Sequence, residues 1–136
     1  MDLLKALKIS ASGMHAQSAR MRVSAENMAN SETMPSQPGG DPFRRKTITF
    51  KNVLDRALGI KTVAVGKIDV DKSAFEKRFD PSHPMADKGG HVMMPNVKPL
   101  VEMMDIREAQ RTYEANVGAI EAAKSMLMRA VDLLRS

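Results

Sequence analysis

Two heptad stripes, one at each end, constrain this chain more than any other feature. Between residues 2 and 30, Leu4, Leu7, Ala11, Met14, Ser18, Met21, Ala25 and Met28 follow one another in steps of three and four. The same alternation links Met103, Ile106, Gln110, Tyr113, Val117, Ile120, Lys124, Leu127, Val131 and Leu134. Such steps keep one face of an α-helix in line, so each stretch predicts a long helix, about 43 Å and about 55 Å at 1.5 Å per residue. A compact chain of 136 residues has a radius of gyration of only about 14 Å. The helices therefore outrun any globule between them and are expected to pair as an antiparallel coiled coil.

The ends of both helices have their own signals. Asp2 can cap the first helix, its carboxylate accepting from free amides at the positive end of the dipole. Asn27 and Asn30 are expected to close it, since Asn accepts left-handed geometry more easily than most residues. Asn96 can cap the second helix, with Pro99 tolerated in a first turn. Gly13 and Gly118 sit mid-helix, where Gly costs about 1 kcal/mol relative to Ala; each marks either a close helix approach or a solvent face. Arg111 with Glu114, Glu121 with Lys124, and Asp132 with Arg135 suit ion pairs on an exposed face.

Between the helices the texture changes. Pro35, Pro38, Gly39, Gly40 and Pro42 mark residues 31–42 as a linker. From 43 to 95 the alternation of Ile48 and Phe50 with Thr47 and Thr49, then Val63 with Val65 and Ile68 with Val70, predicts short strands punctuated by Gly59 and Gly66. All four Phe, at 43, 50, 75 and 79, lie here, so a small β-rich module around those rings is expected, ending in a Pro/Gly-rich turn region. The fold class is α+β: a discontinuous helical domain of residues 1–30 and 96–136, and a β-rich domain of residues 43–95.

Composition excludes several functions. With no Cys there is no disulfide framework, thiolate metal site or thiol nucleophile. His83, Asp87 and His91 recur every four residues, but Pro84, Gly89 and Gly90 forbid the helix that would align them as metal ligands. No phosphate-cradling loop or nucleophile elbow occurs, so neither an enzyme nor a cofactor or metal site is expected. No stretch reaches the roughly 20 apolar residues of a membrane span, and no apolar run long enough for a signal-peptide core opens the chain. The net charge of +5 is spread as 4 basic and 2 acidic residues over 1–30, 11 and 8 over 31–95, and 6 and 6 over 96–136. Arg44, Arg45 and Lys46 beside Phe43 form the one basic-aromatic candidate for nucleic acid, and the mixed surface argues against a dedicated binder. The 12 Met fit surfaces completed by another molecule better than a jigsaw core.

Longer motifs narrow the field. Ser12-Gly13-Met14-His15-Ala16-Gln17, then Arg20-Met21 and Ala25-Glu26-Asn27-Met28-Ala29-Asn30, resemble the N-terminal signature of the bacterial flagellar axial proteins. Asn96-Val97, Glu102-Met103 and Ala109-Gln110-Arg111-Thr112-Tyr113-Glu114-Ala115-Asn116 resemble the C-terminal signature of the same rod and hook family. The opening Leu3 to Gly13, the run Arg44-Arg45-Lys46, and Asp80-Pro81-Ser82-His83-Pro84 with Ala86-Asp87 and Gly90 are similar to its proximal-rod members.

The resemblance implies a structural subunit without catalysis or cofactor, in the periplasm-spanning rod of the flagellar basal body. Such a subunit passes uncleaved through the type III export apparatus and transmits torque. Its terminal helices pack around the export channel. Its partners are other rod subunits and the basal-body base in a hetero-oligomer, with no nucleic acid and no membrane insertion. Packing is expected from Leu4, Leu7, Met14, Met21, Met28, Met103, Ile106, Val117, Ile120, Leu127, Val131 and Leu134, with Gln110 and Tyr113 setting the helix crossing. The signature residues carried over are Asn27, Ala29, Asn30, Arg111, Tyr113, Glu114 and Asn116. Residues alone leave a private two-helix core, a soluble coiled-coil adaptor and a basic nucleic-acid module as alternatives.

Overall fold

The computed structural model describes residues 2–136. Helix α1 (Leu3–Ala29) is followed by strands β1 (Lys46–Asp55), β2 (Ile60–Val70), β3 (Glu76–Phe79) and β4 (His91–Met94), and by helix α2 (Pro99–Arg135). The fold is α+β: two long helices flank a small antiparallel β region. Asp2 caps α1 as its position predicts, Oδ1 accepting from the Leu4 N–H at 3.0 Å.

The other helix ends depart from expectation. Asn30 closes α1 with φ −100° rather than in the left-handed region; its backbone N–H and its Nδ2, at 2.9 Å, both donate to the Glu26 carbonyl. A side-chain amide that satisfies an orphan carbonyl makes the left-handed cap unnecessary. The cap of α2 is Lys98, without a side-chain bond, and Pro99 opens the helix. Asn96 lies two residues too early to cap it and is engaged elsewhere.

The β region is two separate two-stranded sheets rather than one module around its rings. In the first, β1 and β2 pair from Lys46 opposite Val70 to Asp55 opposite Ile60, with an irregularity between Ile48 and Phe50. There the Thr49 hydroxyl bridges to Lys67, accepting from its N–H at 3.0 Å, and a Cβ on Gly66 would come within 3.0 Å of that oxygen. The hairpin turns at Gly59, φ +64°, held by Asp55 Oδ1 accepting from Ala57 and Leu58. In the second sheet Glu76 faces Met94 and Phe79 faces His91. Phe50 and Phe79 are exposed, and Phe75 lies 4.1 Å beneath the Arg44 guanidinium. The four rings do not share a core: Phe50 and Phe79 stand on two different ribbons, each of which leaves a face in water, and Phe43 and Phe75 lie outside the strands.

The helices run antiparallel: Gly13 meets Asn116, Arg20 meets Asp105, and Asn27 meets Glu102. Gly13 is a close approach, since a Cβ there would lie 2.9 Å from Asn116 Nδ2, whereas nothing lies within 4 Å of one on Gly118. The hairpin lies along α1, with Lys8 paired to Asp55 and the Ser12 hydroxyl accepting from Val63 N–H at 3.3 Å. The buried apolar residues are small or few: Ala16, Ala19, Val23, Val92, Met94, Val97, Ala109 and Ala123. The three ion pairs expected along α2 are absent among the described residues; Glu114 accepts from Gln110 at 3.1 Å instead. Long charged stems in water gain little from fixing such pairs.

Candidate functional site: a polar junction and an uncovered helix end

Where the end of α1, the start of α2 and the root of the hairpin meet, the chain buries polar groups. Glu102 is 0% exposed and Asn27 1%. Asn27 treats Lys46 as a strand would: its Nδ2 donates to the Lys46 carbonyl and its Oδ1 accepts the Lys46 N–H, both at 2.8 Å. The same amide donates to Glu102 Oε2 at 3.4 Å. Arg45 Nε donates to the other Glu102 oxygen, and its terminal nitrogens lie 3.7 Å from Asp71 and 3.6 Å from Asp105. Arg20 reaches Asp105 at 3.2 Å, and Lys46 Nζ reaches Glu26 at 2.6 Å.

Asn96 ties the other side. Its Oδ1 accepts from the Arg45 N–H at 2.7 Å, and its Nδ2 donates to the carbonyls of Asp71 at 2.9 Å and Ser73 at 3.2 Å. Burial pulls the Arg45 guanidinium down, but the Glu102 hydrogen bond and the charges of Glu102, Asp105 and Asp71 outweigh it and the net shift is upward. The Asp71 carboxyl is held low, chiefly by the Ser73 backbone N–H and hydroxyl and then by Arg45. Each charge here has a partner, and the junction fastens three elements.

The basic run Arg44 to Lys46 is thus turned inward. Arg44 donates to the carbonyls of Asp71 and Ser73 at 3.0 and 3.1 Å and lies over the Phe75 ring. His83, Asp87 and His91 shape the turn between β3 and β4. His83 Nδ1 accepts from Met85 N–H at 3.0 Å, and Asp87 Oδ1 from Gly89 and His91 N–H at 2.8 and 2.9 Å. The His91 N–H bond is the first cause of a lowered Asp87 carboxyl.

Of the residues expected to pack between helices, Leu7, Met14, Met21, Met28, Ile106, Tyr113, Val117 and Ile120 are half-buried, while Leu4, Met103, Gln110, Leu127, Val131 and Leu134 are exposed. Among the signature residues, Asn27 lies in the junction, Asn30 caps α1, and Asn116 sits against Gly13. Ala29, Arg111 and Glu114 are exposed. A second set of residues seven apart makes contacts between the helices. Gly13, Arg20 and Asn27 are seven apart and face α2, where Glu102, Ala109, Asn116 and Ala123 are also seven apart and buried or half-buried. Its polar and small residues carry no apolar signal; only their common spacing of seven marks them. Glu102, Arg45, Asn96, Asp105 and Asp71 are the junction residues that apolar periodicity misses.

Antiparallel pairing leaves the far end of α2 beyond α1. Met126, Leu127, Met128, Val131, Leu133 and Leu134 are all exposed there, Leu133 to 77% and Leu134 to 89%. No helix among the described residues is long and apolar enough to cross a membrane.

Residues 88–133, spanning β4 and nearly all of α2, match the family model described as flagellar basal body rod FlgEFG protein C-terminal. The flagellar basal-body rod protein FlgC of Agrobacterium fabrum is 44% identical over 137 residues, covering 100% of this chain and 99% of the relative. The chain belongs to the FlgC family of flagellar basal-body rod proteins. FlgC of Bacillus subtilis is 38% identical, with 98% of this chain and 99% of the relative covered, and FlgC of Salmonella typhimurium is 36% identical, with 98% of each covered. As a FlgC-family chain it is a structural component of the bacterial flagellar basal body. The polar junction and the uncovered helix end are parts of a rod subunit.

Proposed function

We propose that the chain is a non-catalytic building block of the proximal rod whose terminal helices pair as a coiled coil and pack laterally against those of neighbouring subunits. The helical domain, residues 1–30 and 96–136, forms the layer around the export channel; the linker 31–42 and the domain 43–95 lie outside it. Partners are other rod subunits and the basal-body base, reached through the type III export apparatus, in a hetero-oligomer that carries torque.

One observation supports this above all: the last turns of α2 hold an apolar stripe that the chain itself does not cover. Exposed apolar surface is worth about 25 cal/mol per Å² when removed from water, and a neighbour's helices supply the cover. The half-buried Leu7, Met14, Met21, Met28, Ile106, Tyr113, Val117 and Ile120 then complete their burial between subunits, together with Leu4, Met103, Gln110, Leu127, Val131 and Leu134. The test is the pair Leu133→Glu and Leu134→Glu in cells lacking their own copy. Swimming is expected to stop and the chain to be missing from isolated basal bodies, while its thermal midpoint in solution stays put. Normal incorporation of this variant sinks the helix-packing reading.

A further inference from the structure

The chain has neither Cys nor Trp, so the thioether of Met is its most readily oxidised side chain. The methionines are segregated. Met103 (43%), Met104 (63%), Met126 (55%) and Met128 (56%) are exposed, and all four lie on α2. Met14, Met21, Met28, Met34, Met85 and Met93 are half-buried, and Met94 is buried at 3%. Each exposed Met also has a cation within one helical turn: Arg107 for Met103 and Met104, Arg129 for Met126, and Lys124 for Met128. Residues three or four apart on a helix are neighbours, and a sulfoxide oxygen is an acceptor that such a donor can hold.

We propose that these four methionines form a peroxide-sensitive modification site on the assembly face of the free subunit, an inference that rests on the helix-packing reading above. A hydroperoxide transfers one oxygen to the thioether sulfur. The sulfur is oxidised by two electrons, the O–O bond breaks, and water or an alcohol leaves. The product replaces a flexible apolar tip with a polar one that the neighbouring Arg or Lys solvates, so the helix stays folded while its outer face no longer suits a dry contact.

Hydrogen peroxide on the purified chain, followed peptide by peptide by mass spectrometry, tests the chemistry. Met103, Met104, Met126 and Met128 are expected to oxidise about tenfold faster than Met94, with the helical circular dichroism retained. Uniform oxidation overturns the proposal. Variants test the consequence in cells lacking their own copy. With Met126→Gln and Met128→Gln, at the end of α2 where the fold does not depend on them, incorporation into basal bodies should fall, and with Met126→Leu and Met128→Leu it should not. A Gln variant incorporated like the parent, or a Leu variant equally excluded, overturns the redox proposal. The helix-packing reading fails separately, on the Leu133→Glu and Leu134→Glu pair, and its failure takes the redox proposal with it.

Discussion

The two ends of α2 invert the usual division between inside and outside. Its first turn carries Glu102, wholly buried among Asn27 and Arg45; its last turns carry Met and Leu in water. Of the three largest fully buried side chains, Glu102, Val92 and Asn27, two are polar. A buried ionic cluster adds little net stability but penalises every arrangement that leaves a charge unpaired. The closed end of the helix pair therefore specifies where α1, α2 and the hairpin meet, and the open end keeps its apolar area in water. In this subunit buried charge and exposed apolar surface sit at opposite ends of one helix.

The sharpest way to break that contrast is Glu102→Ala, which removes the wholly buried partner of Arg45 and leaves it only the more distant Asp71 and Asp105. Loss of one partner from a buried pair costs about 3–5 kcal/mol, and urea unfolding monitored by circular dichroism should show a loss of this size. The joint change Glu102→Met with Arg45→Leu should cost less, because neither member of the buried pair is left without the other and Asp71, which loses Arg45, keeps its Ser73 bonds. Equal losses for the two would mean the junction acts by packing, not by charge pairing.

The glycines sharpen it at smaller scale. Gly118→Ala has open space around its Cβ and should stabilise by up to about 1 kcal/mol, the helix-propensity difference. Gly13→Ala meets Asn116 Nδ2 at 2.9 Å, so that side chain must give way and most of the gain should vanish. Equal midpoints for the two variants would contradict the close approach of the helices at Gly13.

How much of this was legible in the sequence divides along the same line. Both long helices, the cap at Asp2 and a turn at Gly59 follow from local chemistry: stepwise apolar positions, a short carboxylate and a residue free to take positive φ. The contact line between the helices does not, because Gly13, Arg20 and Asn27 look like a solvent face until Asn116, Asp105 and Glu102 are placed against them. Asn96 reads as a helix cap for the same reason; its true partners, Arg45, Asp71 and Ser73, lie more than twenty residues away. The run Arg44 to Lys46 suggests an outward basic patch because its carboxylates come from three other segments. The uncovered end of α2 is legible as a stripe, but its exposure depends on where α1 stops.

The smallest expected effect concerns acid. The Asp71 carboxyl is held below its ordinary value, first by Ser73 and then by Arg45. The native state therefore binds its proton less readily than the unfolded chain does. Its contribution is fully present above the unfolded pKa of about 3.9 and fades as pH falls through the lower native value. Asp71→Asn should lower the neutral plateau slightly and so flatten the acid limb of a stability-against-pH curve, measured by urea midpoints from pH 6 to pH 2, with the two proteins converging at the acid end. An unchanged acid limb would remove Asp71 from the junction's electrostatics.

The bond between Asn27 and Glu102 spans 75 residues, and this distance has a meaning in time. At about 5–20 residues per second of synthesis, α1 exists for several seconds before the first turn of its partner does. Neither helix can dock until the whole hairpin region between them has been made, and closing so long a loop precedes any reward from the contacts it allows. The newborn chain therefore carries α1 without its α2 partner for about half of its synthesis, and the contacts that join the two helices are the last to become possible.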